Sequence, residues 1–296
     1  MSTNTAQSLT DSLPLLIDPL TLEASLDQAS LRVFDCTVKQ IRRPGQQSLV
    51  ASARPEYAQA HIPGAGYLHM VDDLSDPSGP YPYYLPELKV FRTLCESKGI
   101  SEGTEVVLYC SDNPKSAARV WWVLTVLGIS SVRILDGGLK AWQAAGLPLS
   151  AAPPIQRETS FSPRLRKEMI ATKKEVLEAI DREDILLINT LSAAVFKGES
   201  AQYYGRPGRI PSSINIPYES LFNPHTQVFH QRSVIEAMLE RVGVYQGKPI
   251  ILYCGGGVSA SVLAFVMTAL AIPNVRLYAG SLLEWANDPS LPMVVG

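Results

Sequence analysis

Cysteine is scarce. The chain of 296 residues holds four, Cys36, Cys95, Cys110 and Cys254, and no two of them form a CxxC pair. A zinc site is therefore not expected, and four thiols in so long a chain do not build a disulfide framework. Charge of one sign is also lacking. The formal net charge is −2 and no run of lysine or arginine occurs, so the basic field that nucleic-acid binding needs is missing. No apolar stretch approaches the roughly 20 residues of a membrane span. The opening, Met1–Thr10, is polar and uncharged, without the basic start and apolar core of a secretory leader. The expectation is a cytoplasmic chain with no nucleic-acid or membrane partner and no zinc site.

What is present is an ordinary globular balance, 46% hydrophobic and 18% charged, at about twice a common domain length. The chain also repeats itself once. Glu105-Val-Val-Leu-Tyr-Cys110 matches Pro249-Ile-Ile-Leu-Tyr-Cys254. Ser116 and Trp142 match Ser259 and Trp285, each 143 residues on, whereas the cysteines are 144 apart, so the first loop is one residue longer. Upstream, His61-Ile-Pro-Gly-Ala65 resembles Arg209-Ile-Pro-Ser-Ser213, and Leu31–Asp35 resembles Ile185–Asn189. A period of this size marks a duplicated domain, since solenoid repeats run about 20 to 50 residues. Residues 149–164, with Pro153, Pro154 and Pro163, read as an extended linker between copies at 12–148 and 165–296.

Within each copy strand and helix alternate. Val106–Tyr109 and Ile250–Tyr253 are short continuous apolar runs, which suit strands buried on both faces of a parallel sheet. Ser116–Leu127 and Ser259–Leu270 have helical length and periodicity. Val132–Leu135 and Val275–Tyr278 follow as strands, each leading to a helix that bears a tryptophan. The class is α/β.

The chemistry concentrates in Tyr253-Cys-Gly-Gly-Gly-Val-Ser-Ala260, between a buried strand and a helix. In open α/β sheets ligands bind beyond the carboxyl ends of the strands. Three glycines, Gly255, Gly256 and Gly257, permit the positive φ of a tight curl. Such a curl, running through Val258 and Ser259 into a helix N-terminus, aims N–H groups at one point and favours an anion there. Cys254 stands at the mouth of that bowl, where the field favours thiolate, the nucleophilic form. The plain alternative is a buried cysteine before a glycine turn.

This loop is similar to the active-site loop of the rhodanese superfamily, most of all to the Cys-Gly-Ser/Thr-Gly-Val-Thr-Ala of 3-mercaptopyruvate sulfurtransferases. The resemblance extends through His61–Ala65, Asp76–Pro86, Ala118-Arg-Val-Trp-Trp122, Leu135-Asp-Gly-Gly138 and Trp142. It implies two rhodanese-like domains, each a central, mostly parallel sheet flanked by helices, with catalysis in the C-terminal one. It also implies covalent sulfur transfer that requires no metal and no organic cofactor. Cys254 would take sulfur from a small anionic donor, thiosulfate or 3-mercaptopyruvate. It would hand that sulfur from a persulfide to cyanide, a thiol or a thioredoxin-like acceptor.

Around the cysteine several readings stand open. Ser259 suits a helix N-cap, or contact with the sulfur or donor. Arg206 and Arg209 suit an anionic donor, or are simply exposed on a Gly/Pro loop. His61 matches a first-domain motif and either faces the cleft or is structural. Tyr81, Tyr83 and Tyr84 either wall the cleft or pack on each other. Two departures from the family stand out: Leu191 where an arginine is common, and Gly256 where a hydroxyl is common. The mirrored loop, Cys110-Ser-Asp-Asn-Pro-Lys-Ser116, carries Asp112 against an anion and Pro114 without an N–H, and reads as degenerate. A phosphatase would place arginine six residues after its cysteine, where this chain has Ala260. The remaining alternative to an enzyme is a persulfide carrier or binding module fed by a partner protein.

Overall fold

The two apolar runs that end in a cysteine lie inside two separate parallel sheets. The computed structural model describes residues 12–41, 43, 46, 48–154, 159–200 and 204–296. The polar start Met1–Thr10 and part of the expected linker, residues 155–158, lie outside the described residues.

The first half runs β1 (Leu16–Ile17), α1 (Pro19–Glu23), β2 (Leu31–Asp35), β3 (Val38–Ile41), β4 (Leu49–Ser52), α2 (Arg54–Gln59), β5 (Gly66–Tyr67), α3 (Leu88–Ser97), β6 (Glu105–Tyr109), α4 (Lys115–Val126), β7 (Val132–Leu135) and α5 (Gly138–Ala144). Five of its strands form a parallel sheet in the order β1-β7-β6-β2-β5, while β3 and β4 pair as an antiparallel hairpin. The second half runs α6 (Lys173–Ala179), β8 (Leu186–Asn189), α7 (Ala193–Lys197), β9 (Ile214–Asn215), α8 (Arg232–Arg241), β10 (Ile250–Tyr253), α9 (Ala260–Ala269), β11 (Val275–Leu277) and α10 (Ser281–Trp285). Its sheet has the order β11-β10-β8-β9, again parallel. No helix among the described residues is long and apolar enough to cross a membrane.

The repeated sequence landmarks turn out to be repeated hydrogen bonds. Tyr109 and Tyr253, the last residues of β6 and β10, accept the N–H groups of Ile62 (3.3 Å) and Ile210 (3.1 Å) through their phenol oxygens. That ties each Ile-Pro loop to its central strand, because a buried N–H must find a partner. Trp142 and Trp285, both fully buried, donate through Nε1 to Pro148 O (2.8 Å) and Pro292 O (2.9 Å) and clamp the chain leaving each domain.

Helices α4 and α9 explain their own sequences. From Ser116 to Val126 every residue of α4 is buried, and so is almost all of α9. A helix apolar on all sides must be covered on all sides. Each lies against its own sheet, and the two pack on each other across the domain interface, where Trp121 meets Phe265 edge-on at 5.2 Å. Each strand-end loop thereby borders a cavity that the other domain helps to line.

Candidate active site

β10 delivers Cys254 to the carboxyl end of its sheet, 1% exposed. The Gly257 N–H meets its Sγ at 3.1 Å. Helix α10 braces the loop from behind. The Leu282 and Leu283 N–H groups bind the carbonyls of Cys254 (3.1 Å) and Gly255 (2.8 Å), and Ser281 Oγ takes the Cys254 N–H (3.0 Å). With those carbonyls held by α10, the loop turns the Gly257 N–H toward the sulfur.

Each of the three glycines has its own reason. Gly257 has φ +77°, the left-handed region. A Cβ on Gly255 would lie 2.0 Å from the Tyr204 ring. One on Gly256 would lie 2.8 Å from Leu283 Cδ1 and 3.0 Å from the Tyr83 ring. The space that a serine or threonine would need at Gly256 is filled by these apolar groups, one of them from the first domain.

Ser259 does not cap α9. Its backbone is already helical (φ −69°, ψ −30°), so the side chain does not reach the free N–H groups, and Oγ instead meets Thr190 Oγ at 3.2 Å. It still faces the cavity in front of the cysteine. That cavity, of about 140 Å³, is lined by Cys254, Gly256, Val258 and Ser259 from the second domain and by Val38, Gln40, Met70, Tyr83 and Lys115 from the first. Leu191 lines it as an apolar wall. Its charged lining residues are Lys115, whose Nζ donates to Gln40 Oε1 at 2.8 Å, and Glu219.

Arg206, Arg209 and His61 do not line this cavity. Arg206 is spent on the carbonyls that end α10, donating to Asp288 O (2.6 Å) and Ala286 O (3.1 Å). Arg209 lies over the Phe196 ring at 4.5 Å and bonds to the carbonyl of Gly296. His61 is buried with its ring nitrogens on Tyr57 O (2.7 Å) and Ala152 O (3.0 Å), so it anchors the start of the linker. Of the tyrosine cluster, Tyr83 reaches the cavity, whereas Tyr81 and Tyr84 stack edge-on at 5.1 Å. Sequence reasoning missed Lys115, Tyr204 and the reach of Arg119, whose guanidinium enters the second domain's loop at Gly257 O. Lys115 did carry a signal, since it opens the helix that follows the mirrored loop.

The mirrored cysteine sits among acids. Cys110 Sγ meets Ser116 Oγ (3.0 Å) and the Ala117 N–H (3.2 Å). Burial pushes its thiol well above the ordinary range, and Asp35 and Asp112 add to the shift. Burial likewise raises Cys36, and lifts Cys95 to about 12 with help from Glu96. At the positions equivalent to Asp35 and Asp136 the second domain has Asn189 and Ala279. Of the two acids that act on Cys110, Asp35 thus has an uncharged asparagine as its counterpart beside Cys254.

Comparison with known proteins gives the following. The family model for the rhodanese-like domain matches residues 22–145 and 172–288. The chain is 30% identical to a 3-mercaptopyruvate sulfurtransferase of Escherichia coli, over 92% of this chain and 95% of that protein. It is 32% identical to a 3-mercaptopyruvate sulfurtransferase of Rattus norvegicus, over 79% of each. The crystal structure of SseA from Escherichia coli, a 3-mercaptopyruvate sulfotransferase of rhodanese fold, superposes with a TM-score of 0.78 at 29% identity, covering 90% of this chain and 98% of that one.

Proposed function

The chain belongs to the rhodanese family and is a sulfurtransferase, and from that premise we propose that Cys254 carries the sulfur as a persulfide, with 3-mercaptopyruvate as the donor. The observation that carries this reading is the sulfur at a strand end, met by the Gly257 N–H at 3.1 Å and opening on a cavity of about 140 Å³. Cys36 and Cys95 do not line that cavity, and Cys110 borders a much smaller one.

In the first half-reaction the Cys254 thiolate attacks the donor sulfur. An S–S bond forms, the C–S bond breaks, and pyruvate leaves as its enolate, which then takes a proton. In the second, a thiolate or cyanide attacks the outer sulfur and Cys254 leaves as thiolate. The Gly257 N–H faces an anion in both resting forms, so it needs no rearrangement between half-reactions.

The donor preference follows from the lining. One cation, Lys115, and one anion, Glu219, border a space otherwise lined by uncharged polar and apolar groups. That suits a carbon-bearing monoanion better than the dianion thiosulfate, which would require more positive charge to leave water. Lys115 is the group placed to meet the carboxylate, in the role the sequence had suggested for Arg206 and Arg209. Residues 165–296 then hold the nucleophile, residues 12–148 contribute walls to its cleft, and 149–164 join them. Cytoplasmic residence fits four free thiols.

The test is sulfur transfer to cyanide from each donor, with mass spectrometry for one added sulfur on Cys254. Cys254→Ser is expected to abolish turnover. Lys115→Met should raise KM for 3-mercaptopyruvate about tenfold, the value of one charge-assisted hydrogen bond, with kcat nearly kept. Turnover surviving in Cys254→Ser would sink the mechanism. A persulfide that forms only when a partner protein supplies the sulfur would favour the carrier reading, which the apolar Leu191 supports.

A further inference from the structure

Arg119 is a buried cation that the chemistry above leaves without a task. It belongs to α4 of the first domain and is 1% exposed. Nη2 donates to Tyr83 O at 2.6 Å, Nη1 reaches Gly257 O at 3.5 Å, and Nε has no partner. The guanidinium carbon lies 4.7 Å from the centre of the Trp122 ring. The titratable groups that face it are Tyr81, Cys254 and Tyr83, with no carboxylate among them. Burial pulls its pKa down to about 10, and those three groups push the other way.

Carbonyl oxygens and an indole face solvate a cation but do not neutralise it. A charge this deep is retained where an opposite charge meets it. Tyr83 and Tyr81 are poor candidates for that charge, because burial raises both phenols, Tyr81 to about 12. The Cys254 sulfur remains. It is joined to Arg119 through one residue, since Gly257 offers its carbonyl to the guanidinium and its N–H to Sγ.

We propose that Arg119 is the counter-charge of the anion on Cys254. From the first domain it holds the thiolate before the donor arrives and the persulfide afterwards, and it fixes Gly257 so that the N–H stays on the sulfur. It touches neither donor nor acceptor and is a positioning residue. The proposal rests on Cys254 being the nucleophile.

The experiment is alkylation of Cys254 by iodoacetamide in the full chain, followed by peptide mass spectrometry from pH 6 to 10, for the wild type, Arg119→Met and Arg119→Lys. At pH 7, Arg119→Met should react at least tenfold more slowly, and the gap should close at high pH, where a thiol ionises unaided. Arg119→Lys keeps the charge and should recover most of the rate. A folded Arg119→Met that alkylates at wild-type rates across the range overturns the proposal, as does an Arg119→Lys no faster than Arg119→Met. Should Arg119→Met fail to fold, the wild type and Cys254→Ser are compared in urea between pH 6 and 9. The wild type should gain at least tenfold in folding equilibrium constant over Cys254→Ser as the pH rises. Parallel pH dependence would refute the pairing. Alkylation needs no donor or acceptor, so it answers even for a chain that turns over neither sulfur compound.

Discussion

Gly257→Ala tests the loop most sharply, because a matched control exists in the same domain. Gly257 and Gly247 have φ of +77° and +75°. A Cβ on Gly247 would meet nothing within 4 Å. A Cβ on Gly257 would lie 3.0 Å from Ala279 O, 3.1 Å from Ala279 Cα and 3.1 Å from Arg119 Nη1. Left-handed backbone costs alanine about 1 to 2 kcal/mol over glycine, and that part is common to both. Only Gly257→Ala must also push against the backbone of Ala279, which adds about 1 to 3 kcal/mol of overpacking. The relief available is a shift of the loop, which moves the Gly257 N–H off the sulfur. Losing one donor to a catalytic anion costs about a hundredfold in rate. Urea unfolding should therefore show Gly247→Ala down by about 1 kcal/mol with full activity. Gly257→Ala should fall by about 3 kcal/mol and lose about a hundredfold in sulfur transfer. If the two variants unfold together and Gly257→Ala stays within threefold of wild-type turnover, the reasoning about this loop is wrong.

Other expectations can be checked alongside. Asp136 accepts the Phe229 N–H across the domain interface at 2.9 Å, and burial lifts its carboxyl to about 6. A raised carboxyl is harmless while protonated and becomes a burden once ionised, so its contribution is lost as pH climbs through 6. Asp136→Asn, which keeps the acceptor, should match the wild type near pH 4 and exceed it by up to about 3 kcal/mol above pH 7. A pH-independent gap in urea midpoints would contradict this. Cys110→Ser should retain turnover within about twofold, because that thiol is held protonated among acids; a collapse in rate would give the mirrored loop a part in the chemistry. Arg206→Ala should leave KM for the donor unchanged while lowering the unfolding midpoint, since its bonds go to the carbonyls at the end of α10.

The legible part of this chain was the part written locally. Strand β10 coincides with the apolar run Ile250–Tyr253, and α4 and α9 lie within a residue of their expected bounds, because periodicity and burial act over a few neighbours. The Cys254 loop was visible for the same reason. Contacts between the copies were not legible. Arg119 and Gly257 are far apart in sequence, and nothing near either names the other. Arg206 and Arg209 misled because a Gly/Pro loop beside the site says nothing of which carbonyls lie closer than the substrate. Asp288 O and Gly296 O, supplied by the segment that follows α10, claimed both guanidinium groups.

Helix α4 lies against α9, its own counterpart, and a surface that meets its own copy is the signature of a two-fold pair. In a dimer of identical subunits each side chain must serve two clefts at once, so a cation placed for one would appear in the other. Joining the copies in one chain lifts that obligation. The residue 143 positions after Arg119 is Val262, and the one 143 positions after Asp136 is Ala279. Each half has thus been free to discard what only its neighbour uses. The first half keeps a positive charge that reaches into the far domain, and the second has dropped the buried acid. Specialisation of this kind is open to a covalent duplicate and closed to a symmetric assembly.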